Sequence, residues 1–213
     1  MGYASDSCKN LGVILDDELS FKEQVKKLVS SCFLVIKELS KIKDYLSYEQ
    51  LRTAMSILVF SKLDYCNSLY YGISAELINK MQCVHNSAAR LARRKKRFRG
   101  STADFIRECH WLPIKERIVF KICLLVHKCL RGNAPECLRE MMVYVKSART
   151  MKLVQTDYKN SFGERRFGRV APKIWNLLPL ELRSEGDEEQ FKKKLKTFLF
   201  NGFSDFEQKI KEV

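Results

Sequence analysis

Residues 77–100 read LINKMQCVHNSAARLARRKKRFRG. Leu77, Met81, Val84, Ala88 and Leu91 recur at the intervals that gather side chains on one face of an α-helix. At about 100° per residue, Arg90, Arg93, Arg94 and Arg97 fall on the opposite face. Ser74 is a suitable start and Gly100 a suitable stop. The stretch therefore predicts a helix with one packed side and one cationic end. Downstream, Ser101 with Asp104 caps a short helix up to Trp111. Pro113 stands near the start of the next, which runs through Leu130 to the Arg131–Pro135 turn. A shorter helix covers roughly Glu136–Val143. Residues 144–169 lose the helical period and read as a basic, irregular loop or hairpin. Ala171–Leu178 and Glu188–Phe200 close the chain as helices, with Phe191, Leu195 and Phe198 in phase in the second.

Upstream, Ser47 with Gln50 opens a helix whose apolar pattern runs through Leu51, Ile57, Leu58, Leu63 and Leu69 to a stop near Gly72. Ser20 with Glu23 forms a capping box ahead of Val25, Leu28, Val29, Cys32, Ile36 and Leu39. Leu11–Leu15 (LGVIL) reads as a short buried strand, followed by a turn at Asp16–Leu19. The expected fold is mainly α: a multi-helix bundle with a short N-terminal β-strand and a small C-terminal helical region after the basic loop. Its divisions fall at 1–19, 20–100, 101–143, 144–169 and 170–213.

Composition narrows the function. The chain has 213 residues, 46% hydrophobic and 30% charged, as globular proteins do. It lacks both a secretory h-region and an apolar run of the ~20 residues a membrane helix needs, so a nuclear or cytoplasmic protein is expected, neither secreted nor membrane-bound. The formal net charge is +14. Residues 81–173 hold 22 basic and 7 acidic side chains, whereas residues 1–80 balance at 10 and 10. The focus is Arg90, Arg93, Arg94, Lys95, Lys96, Arg97 and Arg99, with no acid among them. Such a cluster is self-repelling, and a polyanion relieves it; guanidinium forks suit phosphate oxygens. A solvated helix end and a nuclear-import signal share the same composition. Arg165, Arg166 and Arg169 form a second candidate strip.

Catalytic and metal templates fail. The 8 cysteines include no CxxC pair, so a zinc site is not expected; Cys123, His127 and Cys129 sit in an apolar helical stripe and read as core. His85 reads as a boundary histidine. Cys109 and His110 are adjacent, which is poor geometry for a nucleophile and its base. The chain has no GxSxG, HExxH, Walker loop or GxGxxG, and no cofactor is expected. Asp16 and Asp17 follow a strand, but two-metal chemistry needs a third carboxylate on a neighbouring strand, and only fifteen residues precede Asp16. The pair reads as a turn.

Six stretches together resemble one family. They are NLGVILDDELSF at Asn10–Phe21, SKLDYCNSLYYG at Ser61–Gly72, QCVHNSAARLARR at Gln82–Arg94, HWLPIKERIVFKICLLVHKCLRGNAPECL at His110–Leu138, FGERRFGRVAPKIWNLLPLELR at Phe162–Arg183 and FKKKLKTFLF at Phe191–Phe200. In order, they are similar to the C-terminal portion of LINE-type non-LTR retrotransposon reverse transcriptases of the jockey-like and chicken-repeat-like branch. The resemblance implies that residues 1–19 are the end of a polymerase palm, in the primer-grip region, and that residues 20–100 are thumb-like and pack on template–primer. The palm aspartates, the endonuclease and the Cys/His knuckle of related elements are absent from these residues. The resemblance thus implies a truncated copy whose frame starts inside the palm.

Residues and resemblance converge on a non-catalytic, sequence-independent binder of RNA or DNA backbone, with no metal, membrane or small-molecule substrate. An orphaned Leu11–Leu15 strand adds the prospect of self-association. The alternative is a helical protein-interaction module without a nucleic-acid role.

Overall fold

The computed structural model describes residues 7–145, 150–155 and 161–212. The chain forms two compact units that divide between Lys115 and Glu116. The protein is mainly α, with a small antiparallel sheet at its N-terminal end.

That sheet corrects the expected single strand. Strands β1 (Ser7–Asn10) and β2 (Val13–Asp16) pair with Asn10 opposite Val13 and Ser7 opposite Asp16. Leu11 and Gly12 form the two-residue turn, with φ of 45° and 84°. Positive φ at both positions matches the twist of a tight hairpin, and the Tyr65 hydroxyl secures it by donating to Leu11 O at 2.5 Å. Of the LGVIL run, Val13 and Ile14 are buried while Leu11 is 85% exposed. The Ile14 amide donates to Gln24 Oε1 at 3.0 Å.

The first unit packs α1 (Lys22–Ile42) against α4 (Ala75–Lys96), and α4 against α2 (Tyr48–Met55) and α5 (Thr102–Glu108). The Ser20–Glu23 box does not form. Ser20 and Phe21 donate their amides to the Asp16 carboxylate at 2.7 and 2.8 Å, and Phe21, at φ 59°, turns its ring edge-on to Tyr70. Ser47–Gln50 does form a reciprocal box at the start of α2.

The helix expected to run to Gly72 is interrupted. After Met55 comes a π-helical segment, Ser56–Phe60, then α3 (Ser61–Asp64), a left-handed Cys66 and a 3-10 turn at Asn67–Tyr70. The wider π turn shifts the helical phase. Leu51, Met55, Val59, Phe60 and Leu63 face the core, while Ile57, Leu58 and Leu69 are exposed. Phe60 meets Trp111 edge-on at 4.6 Å and stacks on His85 at 5.1 Å, and His85 is fully buried, not at the boundary.

The second unit contains most of α6 (Ile114–Leu130), then α7 (Glu136–Arg139), α8 (Ser161–Glu164), α9 (Phe167–Leu177), α10 (Leu180–Arg183) and α11 (Glu188–Glu212), which kinks at Gly202. α7 stops short of the expected Val143. Tyr144 and Leu153 form an antiparallel bridge. Asn176 holds that segment as a neighbouring strand would: its side chain accepts from Leu153 N at 2.7 Å and donates to Leu153 O at 2.8 Å. Trp175 Nε1 donates to Met151 O at 3.1 Å, and the buried Arg183 donates to Leu178 O and Thr150 O. Trp175, Asn176 and Arg183 of the APKIWNLLPLELR stretch therefore tie down residues 150–153. Of the expected loop, 146–149 and 156–160 lie outside the described residues. Helix α9 begins at Phe167, before the expected Ala171.

None of the eight cysteines is in a disulfide. Burial pushes the Cys32 thiol up to about 11, opposed by the nearby Lys62 cation. The Cys123 thiol is also raised by burial, the behaviour of core side chains.

Candidate nucleic-acid interface

α4 begins where Ser74 Oγ accepts the Leu77 amide at 3.4 Å and buries Leu77, Met81, Val84, Ala88 and Leu91. It does not run to Gly100. Arg97 adopts φ 53°, its amide reaches Arg94 O at 3.2 Å, and the Phe98 amide reaches Arg93 O at 3.2 Å. This pair of bonds is a Schellman close, in which glycine is the usual left-handed residue. An arginine stands there instead. Phe98 packs edge-on against Phe105 at 5.5 Å, which accompanies the reversal with an apolar contact.

The close divides the basic residues. Arg93 is half-buried, and its Nη1 donates to Gly100 O at 2.6 Å, so it fastens the turn to the helix. This corrects its placement in an open row. Lys96 pairs with Glu108 and lies over the Tyr48 ring at 5.2 Å; the carboxylate holds its ammonium above the ordinary value. Lys95 Nζ is 3.5 Å from Asp44 O. Arg90 is exposed and donates to Ser87 Oγ at 2.8 Å. Arg94, Arg97 and Arg99 are exposed, and their side chains have no hydrogen-bonding or ionic partner among the described residues. No acid occurs between Leu77 and Ala103 in the sequence. At the far side of the turn, Asp104 is engaged by Ser101, whose hydroxyl and amide hold the carboxyl below its ordinary value.

Arg165, Arg166 and Arg169 belong to the second unit. Arg166 is exposed and precedes α9, Arg165 is half-buried, and Arg169, inside α9, lies 3.9 Å from Glu164.

The residues suspected of catalysis are otherwise occupied. The Asp16 carboxyl is pushed up by burial, but the Ser20 and Phe21 amides outweigh this and hold it below its ordinary value. Asp17 accepts the Glu18 amide. Cys109 is buried against the Tyr48 hydroxyl at 3.4 Å, while His110 is exposed at φ 51°. His127 is buried among apolar groups, stacked on Phe191 at 4.3 Å with Nε2 3.0 Å from Glu185 O. No group of three potential metal ligands occurs among the described residues.

Two features escaped the sequence. A cleft of 470 Å³ between the hairpin and α1 is lined by Lys9, Lys27 and Lys62 together with Glu23. Lys27 there is paired with Glu23 at 3.0 Å and Lys62 with Ser31 at 2.7 Å. Tyr45, in the 3-10 turn Lys43–Tyr45, is 89% exposed. A tyrosine between two helices carries no local signal of its exposure. No helix among the described residues is long and apolar enough to cross a membrane.

No family model matches the chain, and no curated protein or solved structure matches it either.

Proposed function

We propose that this chain binds the phosphate backbone of RNA or DNA without sequence preference and without catalysis, as a remnant of the polymerase end of a LINE-type retrotransposon. One observation carries the reading: Arg94, Arg97 and Arg99 stand open at the end of α4, with no ionic partner among the described residues, beside an exposed Arg90. Backbone contacts position a protein without reading bases, and guanidinium groups with no internal carboxylate can meet a phosphate without first breaking an ion pair. The turn fastened by Arg93 and Gly100 holds them in place.

The test is replacement of Arg90, Arg94, Arg97 and Arg99 by alanine, with binding to a labelled oligonucleotide followed across salt concentration. Four lost phosphate contacts reduce the slope of log affinity against log salt by about three to four. Helicity is unchanged, because these side chains do not pack. A variant that binds like the parent at every salt concentration refutes the reading. Primer extension by the purified chain would refute the non-catalytic part, provided Asp16→Ala abolished it.

A protein-interaction module remains the second reading, favoured by an open, largely apolar groove of 520 Å³ lined by Glu49, Gln50, Thr53, Ala54, Ile57 and Leu58. It predicts that Ile57→Asp disrupts association with a protein partner while the arginine replacements do not.

A further inference from the structure

Among the described residues Tyr45 is the most exposed large hydrophobic side chain, at 89%, ahead of Leu11 in the hairpin turn at 85%, and its ring meets no other ring or polar partner there. Its backbone is nevertheless held on both sides. The Leu46 amide closes the 3-10 turn on Lys43 O at 3.3 Å, and the Ser47–Gln50 box fixes the start of α2 immediately afterwards. The turn is also seated at the cationic end of α4. Lys95 Nζ lies 3.5 Å from Asp44 O, and Lys96 lies over Tyr48, three residues beyond Tyr45. Tyr48 is anchored in turn by edge-on packing with Phe105 at 6.3 Å.

Building on the phosphate-binding reading above, the geometry points to Tyr45 as a stacking platform for an unpaired base, which makes single-stranded nucleic acid the preferred ligand of the α4 end. A duplex keeps the faces of its bases inside the stack, so an exposed ring gains nothing from it beyond what the arginines supply. A single strand offers those faces, and base–aromatic stacking beside a cationic track is the usual way such strands are held. The local charge favours this arrangement. Asp44 and Glu49 are exposed around the turn and repel a phosphate placed directly over it. The backbone therefore runs along Arg94, Arg97 and Arg99, and a base reaches the ring.

The experiment measures fluorescence anisotropy with labelled oligo-dT and oligo-U of about 16 nucleotides and with a duplex of equal length, for the parent, Tyr45→Ala, Tyr45→Phe and Arg94→Ala/Arg97→Ala. Tyr45→Ala weakens single-strand binding roughly 5- to 140-fold and duplex binding less than about twofold; Tyr45→Phe restores the loss. The double arginine variant weakens both ligands. If Tyr45→Ala leaves single-strand affinity unchanged, or weakens the duplex equally, the stacking role is overturned while the arginine result still supports phosphate binding. If the parent binds neither ligand, both proposals fall.

Discussion

Asp16 accepts two amides, Ser20 at 2.7 Å and Phe21 at 2.8 Å, and so does the work expected of a Ser20–Glu23 box. The box fails because Leu19 and Phe21 both take left-handed conformations, φ 49° and 59°, which turn the amides back toward the strand. Glu23 instead pairs with Lys27. Asp16→Ala leaves both amides without that acceptor and is expected to cost about 1–2 kcal/mol. Asp17→Ala, which removes one exposed contact to Glu18, is expected to cost less than about 0.5 kcal/mol. The pH dependence follows from the lowered Asp16 pKa. A carboxyl depressed in the folded state contributes stability above its unfolded value, near 3.8, and loses that contribution as pH falls through the folded value. Urea midpoints at neutral pH therefore separate parent from Asp16→Ala, and the gap narrows progressively as pH is lowered below 3.8.

At the scale of elements, what was legible in the sequence was what is local. The Ser47–Gln50 and Ser101–Asp104 boxes lie within four residues and formed as read. The apolar stripe of α4 was legible for the same reason. The hairpin was not: LG is a poor turn signal, and its tie to Tyr65 spans 54 residues. Nor was the π segment, because a single wide turn leaves no mark in composition yet moves Ile57 and Leu58 out to solvent and Val59 and Phe60 in. The basic cluster was visible, but which cations stay open depends on Arg97 closing the helix and on Glu108 arriving from α5. The π register makes its own prediction. Met55→Ala empties a fully buried position and costs about 2–5 kcal/mol, whereas Ile57→Ser, at a residue 61% exposed, changes stability by less than about 0.5 kcal/mol. A continuous α-helix with Ile57 inside would give the two losses comparable size, and urea unfolding distinguishes the cases.

Over the whole molecule, a formal charge of +14 at neutral pH grows as acid neutralises the carboxylates, so self-repulsion works against the fold on the acid side. In the second unit a more specific process begins earlier. His127 is stacked on Phe191 and held by Nε2–H donation to Glu185 O, which leaves Nδ1 as the acceptor nitrogen, with no partner among the described residues. Burial, aided by the Arg131 cation, pushes its pKa below the ordinary 6.5, although the bond to Glu185 O opposes the shift. A histidine depressed in the folded state favours folding above its unfolded pKa. That contribution is lost as pH falls through the folded value, because the unfolded chain takes up the proton first. Stability is therefore expected to decline from about pH 6.5 downward, before Asp16 begins to titrate. His127→Gln removes the titrating group, so its urea midpoint, lower than the parent's at pH 7.5, changes less between pH 7.5 and 5.5. Added salt separates the two acid effects: it screens the general repulsion among surface cations but leaves most of the parent-minus-variant difference in place, since burial is its largest cause. Parent and variant curves that stay parallel through this interval would show that His127 is not the group that loses its proton on folding.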